Sequence, residues 1–128
     1  MYKRQLEVID EWNARRAQVA AWYDVYLPRE VLRPAVPEGL THVYHLYVLR
    51  HAQRDAIATA CKERRVDCAA YYTRPLQLQP AFAELGHKLG DFPVTDAAAA
   101  QNLAIPMHPN LTETQVQEVA AAVAAGLA

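Results

Sequence analysis

Apolar residues recur at helical spacing over the first part of the chain. Ile9, Trp12, Val19, Tyr23 and Tyr26 follow one another at three-, four- and seven-residue steps, which predicts one long helix over residues 6–27. Pro28 ends it. Arg15 and Arg16 interrupt its apolar surface, and we expect them to reach another subunit or domain. Pro28, Pro34, Pro37 and Gly39 then mark a connecting loop over residues 28–41. "HVYHLYVLR", His42 to Arg50, is rich in valine, tyrosine and leucine and predicts a strand. Alternation places Val43, His45, Tyr47 and Leu49 on one face and Tyr44, Leu46 and Val48 on the other. Both faces are largely apolar, so the strand is expected to be covered on both sides.

A second helix is expected over residues 52–64, with Ile57, Ala60 and Cys61 facing inward. "VDCAA", Val66 to Ala70, suits a second, short strand. "AYYTRPLQLQPAF" follows, and its two prolines predict a rigid loop. "PAFAELG" suits one or two helical turns ended by Gly86. Asp91 and Pro93 open another helix, which "VTDAAAAQNLA" continues, and "LAIP" suits a short strand. In the last helix Thr112 and Gln115 form a T-x-x-Q capping box, Leu111 can staple onto Val116, and Val116, Val119, Val123 and Leu127 make one stripe. The order of elements predicts an α+β fold, a small sheet packed with helices in two layers.

Composition narrows the function more than the fold. The chain has 128 residues, enough for one domain with one core. With 52% hydrophobic and 21% charged residues it is globular, and a net charge of -1 gives no electrostatic case for nucleic acid or an anionic membrane. Apolar runs are too short to span a bilayer. Cys61 and Cys68 make neither a disulfide framework nor a zinc set, so a reducing, cytoplasmic setting is expected.

The candidate chemistry is sparse. His42 and His45, three apart in a strand, point to opposite faces, and no carboxylate or cysteine completes a set, so no metal is expected. Cys61 lies among apolar neighbours and reads as a buried packing residue. Lys62 and Lys88 lack the apolar surroundings that would depress an imine-forming lysine's pKa. On residues alone the chain is an α+β domain without a self-contained catalytic set.

"MYKRQ", Met1 to Gln5, resembles the translated end of a transposase adapter from a sequencing library, so residues 1–5 are expected to be a scar; an ordinary basic N-terminus is the alternative.

Four stretches carry a family resemblance. They are "LEVIDEWNARRAQVAAWY", "HVYHLYVLRHAQRD", "YYTRPLQLQPAFAELGHKLGDFPVTD" and "LAIPMHPNLTETQVQEV". In that order they resemble the C-terminal portion of the DegT/DnrJ/EryC1/StrS family, with its "W-N-x-R-R" helix, its "Y-P-x-P-L-H-x-Q-P-A-Y … G-D-F-P-V-A-E" run and its "L-x-L-P-M-x-P-x-L-T-x-x-Q-V" ending. The resemblance implies the small C-terminal domain of a fold-type-I aminotransferase over residues 6–128. It implies a homodimer that uses pyridoxal 5'-phosphate to move an amino group from glutamate or glutamine to a nucleotide-linked keto sugar. Such products serve surface polysaccharide or glycosylated metabolites. The cofactor lysine and most phosphate-binding residues belong to the large domain, so neither catalytic nor cofactor-binding residues are expected here. Tyr72, Gln77 and, more weakly, His45 are the expected substrate-binding residues.

The sequence departs from the family in four places. Gln77 stands where the family keeps a histidine, Asp96 for its glutamate, Thr73 for a proline and Arg65 for a glycine. An amide can hydrogen-bond but cannot carry charge near neutral pH. Two other readings remain at this point: a pyridoxamine-phosphate sugar dehydratase of the same family, and a free-standing binding or dimerisation module. For the enzyme reading, an exposed apolar patch is expected on the Trp12/Trp22 helix, where the missing domain would pack.

Overall fold

The computed structural model describes residues 2–128. The helix predicted over residues 6–27 is α2 (Ile9–Tyr26), and a short helix that was not predicted, α1 (Tyr2–Leu6), precedes it. They part because Val8 leaves helical geometry, at φ -120° and ψ 2°, while its N–H bonds Gln5 O. Leu27 is extended, at φ -67° and ψ 145°, as the ring of Pro28 requires of the residue before it.

The predicted strand over 42–50 is shorter than its composition suggests. Only β1 (Tyr47–Arg50) is extended. His42 Nδ1 accepts the Tyr44 N–H at 2.8 Å, and Tyr44 adopts a left-handed φ of 49°, so a side-chain turn displaces residues 42–46 from the strand. β1 pairs antiparallel with β2 (Asn102–Ile105), the expected "LAIP" strand. Tyr47 faces Ile105 and Leu49 faces Leu103 across the ribbon; Val48 faces Ala104 and Arg50 faces Asn102. The first two pairs are buried in the core. The other face, with Val48 and Arg50 half-buried, is only partly covered, contrary to the expectation of two covered faces. "VDCAA" adds one bridge, Ala69 to Ala104, rather than a strand, and Leu32 bridges to Arg50 at the other edge.

Helix α5 (Glu113–Ala125) packs on both α2 and α3 (Arg54–Glu63), and α3 lies against β2. Val19 and Tyr23, Ile57 and Cys61, and Val116, Val119 and Val123 form the core, as the periodicity predicts. Tyr23 donates its hydroxyl to Pro106 O at 2.7 Å and Tyr47 donates to Asp24 Oδ1 at 2.7 Å, so both rings are buried with their polar tips satisfied. Burial pushes both phenols' pKa up. Burial, reinforced by Cys68 beside it, pushes the Cys61 thiol up to about 12, which makes it a packing residue and not a nucleophile. The α5 capping box forms as expected: Thr112 Oγ1 accepts from Gln115 N at 3.3 Å and Thr112 N donates to Gln115 Oε1 at 3.0 Å. Gly126, just after α5, lies against the α3 backbone, where a Cβ would sit 2.4 Å from Ile57 Cα.

α3 ends in a Schellman motif. Val66 N bonds Cys61 O at 2.9 Å, Arg65 N bonds Lys62 O at 3.0 Å, and Arg65 is left-handed at φ 59°. The position where the family keeps glycine is thus one that needs a positive φ, and here it carries a side chain. Arg65→Gly should stabilise the fold by about 0.5–1 kcal/mol, the left-handed strain relieved less the entropy of a freer unfolded chain. An urea midpoint no higher than that of the unsubstituted chain would contradict this.

Two further expectations change. Arg15 stays within the chain: it donates to Pro109 O at 3.2 Å and Leu111 O at 3.4 Å and lies 5.6 Å from the Trp22 ring centre, while Arg16 donates to Val43 O at 3.3 Å. With that guanidinium over it, Trp22 is half-buried against the core. The exposed apolar side chains gather instead along 71–94, where Tyr72, Leu76, Leu85, Leu89 and Val94 are each more than half exposed.

Candidate functional site

The half-covered face of the ribbon floors a cleft of about 920 Å³. Val48 and Arg50 of β1 and Asn102 of β2 form its base, Ala98 and Ala99 of α4 (Pro93–Gln101) one wall, and Tyr71, Tyr72 and Pro75 the other. His45 stands at its edge, where the His42–Tyr44 turn delivers it.

Asn102 ties these parts together. It is the one buried polar side chain among the described residues, accepting the Tyr71 N–H at 2.8 Å and donating to Ala98 O at 2.9 Å and Ala99 O at 3.1 Å. One amide therefore caps the end of α4 and fixes the start of the tyrosine loop. The Ala69–Ala104 bridge holds the preceding residue pair, and buried Pro75 anchors the loop two residues beyond Thr73. Between these anchors Tyr72 is forced to a φ of 52°, a conformation a side chain seldom takes, and stands 83% exposed at the mouth of the cleft.

Gln77 is placed differently. It lines a neighbouring apolar recess of about 390 Å³ with Phe82, Leu85 and Phe92, divided from the cleft by Leu76 and Thr95. This recess lies between α4 and two 3-10 segments, Leu76–Leu78 and Pro80–Leu85; Gly86 ends the latter at φ 71°, as expected. Gln77 Nε2 donates to Asp96 Oδ1 at 2.8 Å, and Asp96 Oδ2 accepts the Gly90 N–H at 2.7 Å. Two of the departures noted in the sequence, Gln77 and Asp96, are therefore partners in a single contact that closes the loop onto α4. An amide opposite a carboxylate keeps that contact without a titrating group on the loop side.

The structure thus brings Tyr72 and His45 to one cleft and sets Gln77 behind its wall. Sequence reasoning passed over Asn102 and Arg50. The alternation of β1 puts Arg50 on the Val48 face, but only the pairing with β2 sets Asn102 opposite it. Among the described residues there is no cluster of side chains able to hold a metal ion, and no helix is long and apolar enough to cross a membrane. Lys62 and Lys88 are exposed and neither lines the cleft.

The sequence profile of the DegT/DnrJ/EryC1/StrS aminotransferase family matches residues 1–124. The chain belongs to this family. It is 38% identical over 115 residues to a "Pleiotropic regulatory protein" of Geobacillus stearothermophilus, covering 87% of this chain and 31% of that protein. It is 35% identical to a UDP-2-acetamido-2-deoxy-3-oxo-D-glucuronate aminotransferase of Pseudomonas aeruginosa, covering 92% of this chain and 32% of that one. Among solved structures, DesV of S. venezuelae in complex with a ketimine intermediate superposes with a TM-score of 0.89 at 30% identity, over 94% of this chain and 33% of DesV. The α+β fold matches the C-terminal domain of the family's aminotransferases. The chain of this family member spans about a third of the length of the relatives it matches.

Proposed function

We propose that residues 6–128 serve as the C-terminal small domain of a pyridoxal-phosphate-dependent aminotransferase acting on a nucleotide-linked keto sugar. Glutamate or glutamine is the amino donor, the enzyme is a cytoplasmic homodimer, and the cofactor lysine is supplied by the remainder of a longer protein. Bound there, the cofactor would supply the amino-group chemistry; this chain contributes one side of the substrate cleft. The observation that carries the reading is the cleft itself. Its base joins Val48 to the polar side chains of Arg50 and Asn102, it is lined by no carboxylate, and it has two tyrosines at its mouth, in a chain whose family transfers amino groups. Tyr72 and His45 are its substrate-facing residues, and Gln77 acts by holding the loop through Asp96.

The test is an assay of the protein that contains this segment together with a cofactor domain. With glutamate and a nucleotide-linked keto sugar it should give an amino sugar. A product that has lost a hydroxyl would mark a dehydratase, and sugar-nucleotide binding without turnover would mark a binding module. In that assay Tyr72→Ala should raise KM for the nucleotide sugar about tenfold through lost stacking, with kcat little changed. An unchanged KM would remove Tyr72 from the site.

A further inference from the structure

We propose that Arg50 is the anion anchor of the cleft, pairing with an oxyanion of a substrate. The proposal rests on the cleft being the substrate side of an aminotransferase.

Among the described residues, three buried guanidinium Nε atoms have no hydrogen-bond partner: those of Arg33, Arg50 and Arg54. Two of the three are compensated nearby. Arg33 spends its other nitrogens on three carbonyls, Asp24 O at 3.0 Å, Leu27 O at 2.6 Å and Pro28 O at 3.1 Å. Arg54 lies 2.5 Å from a carboxylate oxygen of Asp55. Arg50 has neither kind of help. Its guanidinium donates to the neutral amide of Gln101, Oε1 at 3.1 Å, and the residues lining its cleft include no Asp or Glu.

A guanidinium stays charged at any physiological pH, and a half-buried one without an anion is unfavourable. The strand nonetheless holds it firmly. The Arg50 backbone exchanges hydrogen bonds with Leu32, N to O at 2.9 Å and O from N at 3.0 Å, and the residue faces Asn102 across the ribbon. Val48 and Ala98 lower the polarity around it, which strengthens any charge-assisted bond made there. Tyr71 and Tyr72 stand over the same space, 44% and 83% exposed, ready to cover the body of a ligand whose anionic end reaches Arg50. An oxyanion that accepts from the fork of a guanidinium is the missing partner. A phosphate of the nucleotide or a carboxylate of the amino donor has that chemistry.

The experiment uses the cofactor-loaded protein that contains this segment. UDP and glutarate, which stand for the two sources, are titrated calorimetrically against the unsubstituted protein, Arg50→Gln and Arg50→Lys. Arg50→Gln should weaken one probe roughly ten- to a hundredfold and leave the other unchanged. Loss of UDP assigns the anion to the nucleotide, and loss of glutarate assigns it to the amino donor; either supports the anchor. Arg50→Lys keeps a charge without the planar fork, and should bind the same probe several-fold more weakly. That variant decides the matter if Arg50→Gln does not fold. Undiminished binding of both probes overturns the proposal, and so does equal weakening of both, which general distortion would give. Probe binding through Arg50 in a protein that transfers no amino group would defeat the function proposed above and spare this one. Amino transfer with undiminished affinities in Arg50→Gln would do the reverse.

Discussion

Asn102→Ala should lower the stability of the fold by about 3 kcal/mol and loosen the tyrosine loop at the same time. The side chain is 8% exposed and makes three hydrogen bonds. Removing it leaves the Tyr71 N–H without its acceptor and returns two carbonyls at the end of α4 to an apolar surrounding. A buried donor or acceptor stripped of its partner costs on the order of 1–3 kcal/mol, and some of the loss is recovered where water enters the opened cleft. Asn102→Asp should not rescue. It keeps an acceptor for Tyr71 but sets a carboxylate against the oxygens of Ala98 and Ala99. Two measurements check the claim: the urea midpoint, and hydrogen exchange at Tyr71 and Tyr72. A midpoint loss without faster exchange in the loop would mean that Asn102 supports only α4.

Gly126→Ala should cost about 2–3 kcal/mol, although alanine is the better helix former. The added Cβ would stand 2.4 Å from Ile57 Cα, 2.8 Å from Ile57 N and 3.0 Å from Ala56 C. These are backbone atoms of α3, so no rotamer change relieves the clash and the two helices must separate. Gly126 itself sits at φ -81°, where any residue is at ease, so the requirement is one of space and not of backbone freedom. For the same reason Ile57→Val should fail to restore the double variant, because trimming a side chain does not move the backbone in the way. A denaturation midpoint equal to that of the unsubstituted chain would show that α5 can shift without loss.

Much of the fold was legible because local chemistry decides it. The capping box at Thr112, the stripe of α5, the inward face of α3 and the stop at Gly86 depend on neighbours a few residues away. Residues 42–46 were not legible in the same way. Valine and tyrosine favour a strand there, yet the imidazole of His42 captures the Tyr44 N–H and turns the chain. The turn at Val8 was not legible either, since the apolar spacing begins only at Ile9 and says nothing of the residues before it. Arg15 was misplaced for a related reason. A cation in an apolar stripe looks like an intersubunit contact until the loop carrying Pro109 and Leu111 is folded against it.

The candidate site divides along the same line. Tyr72, Gln77 and His45 were named from resemblance, and the structure keeps two of them on one cleft while setting Gln77 against Asp96. By itself the sequence determined the α+β class and the helix faces, because periodicity and caps act over short range, and its four motif stretches carried the family. Only the tertiary structure decided which face of β1 is left half-covered, that Asn102 binds the loop to α4, that Gly126 must stay small, and that Arg50 faces a cleft without a counter-ion. Each of those depends on residues far apart in the chain meeting across a ribbon or between two helices, and spacing along the sequence carries no record of such meetings.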